Sequence, residues 1–467
     1  MPLLPEPNGV VRPLTLSRWL HLYGPLALTF LLMSGSSPII NMGIGDLPDA
    51  EETAGFAAFT IAFVICIFLY SPCFAVREAA LKFVKGRTSY RRIVVFHLVV
   101  AGTGVLLLLI LSLTPVLDGL VLTWLMKVPD SLIGPVKRAV LAFSPIPVLI
   151  VFRGVHQSVH ITNDTPKWIG IGTICRFAVL AGFVFGVGVP LEIEGGVMGG
   201  LALSLGILVE TAVNVVTARR RAAFLAVDHP RLPPPTVRRI WDFAGPLFLA
   251  NAMGVLMQPL TVAIVNEAIM KETSAAAFGI VKSFTWFFSS TLFAMQAMAL
   301  ARADSIQNLK RLFGYALLPV GLFTALILTF VVSPAARDFL FYGVFLIDKR
   351  ATAEFAARTL PIAVALPLLM AVRSGARGLL MRGNRTGMVT VASLLGLAAL
   401  VVLNNLGLSS AVENGAAVGY VCWMGVLLLE TIALLAAVAR AGVTACVTEG
   451  GRRGVLREEE VEGEVAA

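Results

Sequence analysis

The chain states one pattern twice, and that repetition limits its architecture more than any other feature. Gly24-Pro25-Leu26-Ala27-Leu28 returns as Gly245-Pro246-Leu247-Phe248-Leu249, a shift of 245 − 24 = 221. Pro38 returns as Pro259, with the same shift. The segment from Pro147 to Arg153 returns from Pro367 to Arg373, where 373 − 153 = 220. Asn163-Asp164-Thr165 returns as Asn384-Arg385-Thr386, and Leu208-Val209-Glu210-Thr211 as Leu428-Leu429-Glu430-Thr431. These matches run in order with a drift of one residue, so the chain is two homologous halves.

Both halves belong in a membrane. Apolar residues make up 57% of the chain and charged residues 14%, against about 45–50% and about 25% in soluble domains. Apolar runs near the roughly 20 residues needed to span recur throughout. The pattern predicts spans near 18–41, 53–76, 93–114, 138–160, 168–189, 195–217, 238–266, 273–300, 312–333, 355–381, 386–405 and 413–439. The expected fold is therefore all-α and integral to the membrane. About twelve transmembrane helices would form two six-helix lobes around a central cleft. Residues 1–217 would form the N-terminal lobe and 237–440 the C-terminal lobe. A Pro-rich cytoplasmic linker over 218–236 and a disordered cytoplasmic tail over 441–467 complete the expected division.

Prolines fall inside several spans, and Pro25 and Pro38 of the first recur as Pro246 and Pro259 of the seventh. A proline removes an amide donor and kinks a helix. Matched kinks suggest bending around a cavity, or packing irregularity alone. Lys and Arg concentrate in alternate connections, as in Arg87, Arg91 and Arg92, Arg219-Arg220-Arg221, and Arg382 and Arg385. The positive-inside rule then puts both termini in the cytoplasm of a multi-pass cell-membrane protein, with a bacterial inner membrane the expected setting. An even number of helices per half makes the repeats parallel. The net charge of +9 is mostly this bias, so no nucleic-acid partner is expected. Trp19, Trp168 and Trp241 fall where an aromatic belt belongs. No lysine directly follows a glycine, so no phosphate-binding loop of the GxxxxGK[ST] type occurs. No disulfide framework, metal site, cofactor or catalytic residue is indicated, and a monomer is expected.

Few residues could carry chemistry. Lys282 lies deep in the eighth span, and an intramembrane ammonium usually faces a cavity or a partner. It reads as an anchor for a small anionic substrate, or as one half of a pair with Glu267. Arg153 and Arg373 are repeat-equivalent, as are Glu210 and Glu430, and Arg377 follows Arg373 by one turn. These form a structural Arg–Glu pair in each half, with Glu210 and Glu430 as pairing or ion-coupling groups, or they line a vestibule that attracts anions. Arg176 is expected to snorkel to the inner interface. His156, His160 and Asp164 share one helical face, which fits either a metal or ordinary solvated polarity at a helix end. Ser37, Asn41, Asn251 and Gln258, in the first and seventh spans, would donate hydrogen bonds to a substrate or to neighbouring helices.

The Pro-Leu-x-Leu openings at Pro25 and Pro246 resemble those of the multidrug, oligosaccharidyl-lipid and polysaccharide (MOP) exporter superfamily, which includes the MATE transporters. Gln258-Pro259 followed by Thr273-Ser274-Ala275-Ala276-Ala277, the Pro147–His156 segment and Leu429-Glu430-Thr431 look most like the progressive ankylosis (Ank) family of anion exporters. The resemblance implies two lobes that alternate between inward-open and outward-open, and export of pyrophosphate-, citrate- or nucleotide-like anions. A lipid-linked precursor flippase and a cation-coupled multidrug exporter are the alternatives. The first span has no acid and Glu267 lies at the outer end of the seventh, which departs from the drug exporters.

Overall fold

A computed structural model describes residues 13–116, 118–125, 128, 130–219, 233–345 and 350–447. Most of the expected linker (220–232) and tail (448–467) lie outside the described residues. The described residues are helical, with no strand among them. Twelve helices are long and apolar enough to cross a membrane. They are α1 (Leu16–Gly45), α2 (Ala54–Phe83), α3 (Arg87–Leu113), α4 (Asp130–Thr162), α5 (Lys167–Gly188), α6 (Gly195–Arg219), α7 (Val237–Asn266), α8 (Lys271–Arg302), α9 (Ile306–Val332), α10 (Arg350–Arg382), α11 (Thr386–Asn405) and α12 (Gly415–Ala441). The chain is an all-α, multi-pass membrane protein of six helices per repeat.

Four helices break at repeat-related places. A 3-10 turn over Ser71–Ala75, carrying Pro72, interrupts α2, and another over Ser290–Phe293 interrupts α8. In α4 the break is a turn at Ser144 and Pro145, and in α10 a 3-10 stretch over Leu360–Ala365 with Pro361. Proline lacks the donor that would continue the α-helical ladder, so the backbone tightens there. α8 has no proline at its break, so the break is a property of the repeat and not of proline alone.

Packing divides the described residues into two units, residues 24–252 and residues 13–23 with 253–447. Each repeat's first helix thus changes unit partway along. The opening turns of α1 pack in the second unit. Trp19 is buried there and stacks on Tyr23 at 4.4 Å, with Tyr315 at 6.2 Å. That stacking, not a belt position, accounts for Trp19. The Tyr23 hydroxyl donates to Thr291 Oγ1 at 3.3 Å, and the Leu14 amide to Asn308 Oδ1 at 2.8 Å. The opening turns of α7 pack in the first unit. Phe243 meets Phe83 edge-on at 5.2 Å, and Asn251 Nδ2 donates to the Ser71 carbonyl at 3.4 Å.

The first unit is built on a small-residue face of α6. A Cβ on Gly195 would stand 3.0 Å from the Gly55 Cα of α2, and one on Gly199 would stand 2.4 Å from the Phe59 ring. Without a hydrophobic drive inside lipid, such close approach is how helices gain packing energy. We expect Gly195→Val to cost about 1–3 kcal/mol by overpacking against backbone. Gly182→Val, whose Cβ would meet nothing within 4 Å, should leave the thermal midpoint near the parent's. Melting of the detergent-purified protein, followed by tryptophan fluorescence, checks both.

Candidate functional site

Each unit holds one buried glutamate gripped by two arginines. In the first unit Glu210 of α6 accepts from Arg153 Nη1 at 3.1 Å and from Arg176 Nη1 at 3.4 Å, both through Oε2. Its Oε1 accepts from Gln157 Nε2 at 3.1 Å and lies 3.3 Å from Thr173 Oγ1. Arg153 and Gln157 come from α4 and Thr173 and Arg176 from α5, so one carboxylate ties three helices. In the second unit Glu430 of α12 takes a bidentate contact from Arg373, at 2.8 and 2.9 Å. Arg377 adds a contact at 3.4 Å and Ser393 of α11 donates at 2.9 Å. All four arginines are buried.

The structure therefore brings Arg153 to Glu210, and Arg373 and Arg377 to Glu430. Arg176 is not at an interface, as snorkelling would require. It is buried against Glu210, because a full carboxylate in the protein interior offers it a closer counter-charge than the headgroup region. Gln157, Thr173 and Ser393 were not singled out from sequence, although the repeat shift finds them. Adding 220 carries Thr173 onto Ser393 and Gln157 onto Arg377. It carries Arg176 onto Gly396. The second arginine thus sits on α5 in one unit and on the fourth helix's counterpart, α10, in the other.

The space follows the charge. A Cβ on Gly206 would meet Arg176 Cγ at 3.1 Å, so that glycine makes room for the arginine stem. Its repeat mate is Val426, whose side chain would stand 3.3 Å from a Cβ on Gly396. Arg176 with Gly206 and Gly396 with Val426 are two solutions of one packing problem.

The second unit also carries Lys282 in α8. Its Nζ stands 5.5 Å from the centre of the Phe278 ring and 5.6 Å from that of Trp423, within cation–π range. Among the described residues no carboxylate oxygen lies within 4.0 Å of it, so the pair with Glu267 does not form. Glu267 stands in the turn after α7, half-buried, with its Oε2 unpartnered among the described residues. Tyr420 packs beside this group, edge-on to Trp423 at 5.2 Å, with its hydroxyl 2.6 Å from Thr285 Oγ1.

The first unit fills the matching place with phenyl rings. Ser71-Pro72-Cys73-Phe74-Ala75 aligns on Ser290-Thr291-Leu292-Phe293-Ala294, a shift of 290 − 71 = 219 for the second helices. Phe59 then matches Phe278 and Phe63 matches Lys282. Phe59, Phe63 and Phe143 cluster with ring centres 5.9–6.2 Å apart. Tyr420 replaces Gly200 and Ala363 replaces Phe143, which conserves volume. Lys282 puts a charge where its repeat mate, Phe63, has an apolar ring.

The remaining candidates scatter. Asn251 serves Ser71 as described above, Ser37 is half-buried, and Asn41 and Gln258 are exposed. His156 and His160 are buried, not solvated. His156 Nδ1 is 2.7 Å from the Phe152 carbonyl, and His160 Nε2 is 3.0 Å from Thr217 Oγ1. Such partners hold the rings in place, and among the described residues no His, Cys, Asp or Glu cluster could hold a metal.

No protein-family model and no curated protein matches the chain. Solved structures do. A MOP superfamily transporter from Pyrococcus furiosus, described as having a binding pocket of reverse polarity that suggests a different function, superposes with a TM-score of 0.64 at 13% identity, over 94% of this chain and 96% of its own. An outward-facing multidrug resistance MATE family transporter gives 0.68 at 13%, over 92% and 96%. A eukaryotic MATE transporter gives 0.67 at 11%, over 94% and 98%. The fold is that of the MATE transporters.

Charge and volume have moved together between the two glutamate clusters, which makes the MATE-like scaffold testable by transplantation. Arg176→Gly alone should cost about 3 kcal/mol or more, because a buried ionic cluster loses one member and its space. Adding Gln157→Arg and Gly206→Val rebuilds the second unit's arrangement in the first, and should recover most of the lost melting temperature. A triple variant no more stable than Arg176→Gly would show that the two arrangements are not equivalent.

Proposed function

We propose that this chain is a secondary transporter that exports a small organic or phosphate-bearing anion by alternating access, with Lys282 as its charge contact. The observation that carries this reading is the Lys282 ammonium. It lies 282 − 271 = 11 residues into α8, about 16 Å along the helix axis. It faces two aromatic rings and has no carboxylate within ion-pair distance among the described residues. A half-buried charge kept without a counter-ion among the described residues is a functional feature by default in a membrane. An incoming carboxylate or phosphate oxygen would supply the missing counter-charge.

The acids point the same way. Glu210 and Glu430 are each held by two guanidiniums, which leaves neither placed to receive a cation. The proposed role of Arg153, Arg373 and Arg377 is accordingly to set the positive polarity of each unit's interior and to brace it, rather than to touch substrate. The reverse-polarity pocket described for the Pyrococcus furiosus protein is a precedent, on this fold, for a pocket whose polarity suggests a different function. One observation favours the alternative, a cation-coupled exporter: the unpartnered oxygen of Glu267.

Uptake of labelled pyrophosphate, citrate and ATP into inside-out vesicles tests the proposal. Lys282→Met should lower uptake of the transported anion by about tenfold or more, the worth of a charged hydrogen bond. Lys282→Arg should retain a measurable share. The melting temperatures of both variants should stay near the parent's. Movement of a cationic dye with none of the three anions, lost in Glu267→Gln and kept in Lys282→Met, would decide for the alternative.

A further inference from the structure

We infer that the first unit carries a binding site for an anionic glycerophospholipid, in a groove between α3 and the opening turns of α7. The groove encloses about 650 Å³ and is lined by Val95, Phe96 and Val99 with Trp241, and by Arg91 and Arg92 at one end. That volume is in the range of small-molecule sites, but the lining is almost wholly apolar below the arginines. Arg91, Val95 and Val99 follow one another at i, i+4 and i+8, so they form a single stripe about 12 Å long on α3. The stripe is open: Val95, Val99 and Trp241 are more than half exposed.

The position of the charges selects the occupant. Arg91 is the fifth residue of α3 and Trp241 the fifth of α7, and these two odd-numbered helices cross in the same direction. Both residues therefore stand at one membrane face, the face that carries the excess of Lys and Arg. Trp241 meets Phe96 at 6.3 Å and Phe248 at 6.0 Å, which fixes the indole as the wall of the groove. Arg92 commits Nη1 to the carbonyls of Pro235 and Pro234, at 3.0 and 3.4 Å. That anchors the guanidinium at the mouth. Arg91 is exposed and makes no ion pair among the described residues. Two guanidiniums at the headgroup level, above an apolar trough that runs towards the membrane centre, match a phosphate ester on an acyl chain. A helix from another protein would complement the trough but not the cations at its mouth. A zwitterionic lipid would fill the trough and return less of the charge.

Quenching of tryptophan by brominated lipids reads this site directly, because Trp241 forms its wall. The full chain is titrated in mixed micelles with dibrominated phosphatidylglycerol or dibrominated phosphatidylcholine, and the same titrations on Trp241→Phe isolate the Trp241 component. The Trp241 component should be quenched by phosphatidylglycerol at a mole fraction lower by about tenfold than by phosphatidylcholine. Arg91→Gln with Arg92→Gln should remove that preference and leave phosphatidylcholine quenching unchanged. Equal quenching by the two lipids in the parent would overturn the inference, as ordinary lipid contact. So would a preference that survives the double substitution. Neither result depends on the transported substrate.

Discussion

A carboxylate deep in a membrane protein is costly unless it is surrounded by donors, and here that cost organises both units. Glu210 fills its four acceptor positions with two guanidiniums, an amide and a hydroxyl drawn from α4 and α5. Glu430 does the same with Arg373, Arg377 and Ser393. Lipid tails compete poorly for such groups, so the cluster sets which helices must be neighbours and in what register. The glycines around it follow from that choice, because a helix can supply an arginine stem only where its neighbour gives way. Without the carboxylate, two positive charges would remain in the interior with nothing to oppose them.

The two repeats show what must be kept and what can move. Charge count is kept: each cluster holds two cations and one anion. The helix that delivers the second cation is not kept, and neither is the side of the interface that carries the bulk. Phe143 beside Gly200 becomes Ala363 beside Tyr420, with similar total volume. These exchanges are neutral trades in packing. Lys282 in place of Phe63 belongs to a different kind of change, because no neighbouring acid accompanies it. At this position the two halves differ in charge, and no trade in volume accounts for the difference.

Much of the fold was legible in the sequence because helix length in a membrane is set by bilayer thickness. All twelve spans emerge from apolar runs, and the repeat is visible by eye. The Arg153–Glu210 and Arg373–Glu430 partners were also within reach, since a repeat-conserved acid and base on neighbouring spans have few other ways to be satisfied. Arg176 was misread because burial of an arginine depends on a glycine on another helix, Gly206, which has no signature along the chain. His156 and His160 were placed in solvent for a similar reason. Their hydroxyl partners, Tyr90 Oη at 3.3 Å from His156 Nε2 and Thr217 Oγ1 at 3.0 Å from His160 Nε2, are far away in sequence. The aromatic pair around Lys282 comes from α8 and α12, a juxtaposition that periodicity on one helix does not reveal.

The handover of α1 and α7 between units bears on how the chain is made. A ribosome delivers residues 24–219 well before 237–252, yet the latter complete the first unit's packing against Phe83 and Phe96. Conversely, residues 13–23 emerge before the rest of the second unit and must wait for Asn308 and Tyr315. These residues are therefore made well before their packing partners, and the first bundle stays unfinished until the second has begun. Cutting the connection between the repeats would not release two self-sufficient bundles. Each half would keep a helix end that belongs to the other, the arrangement of a swapped dimer whose two copies have been joined into one polypeptide.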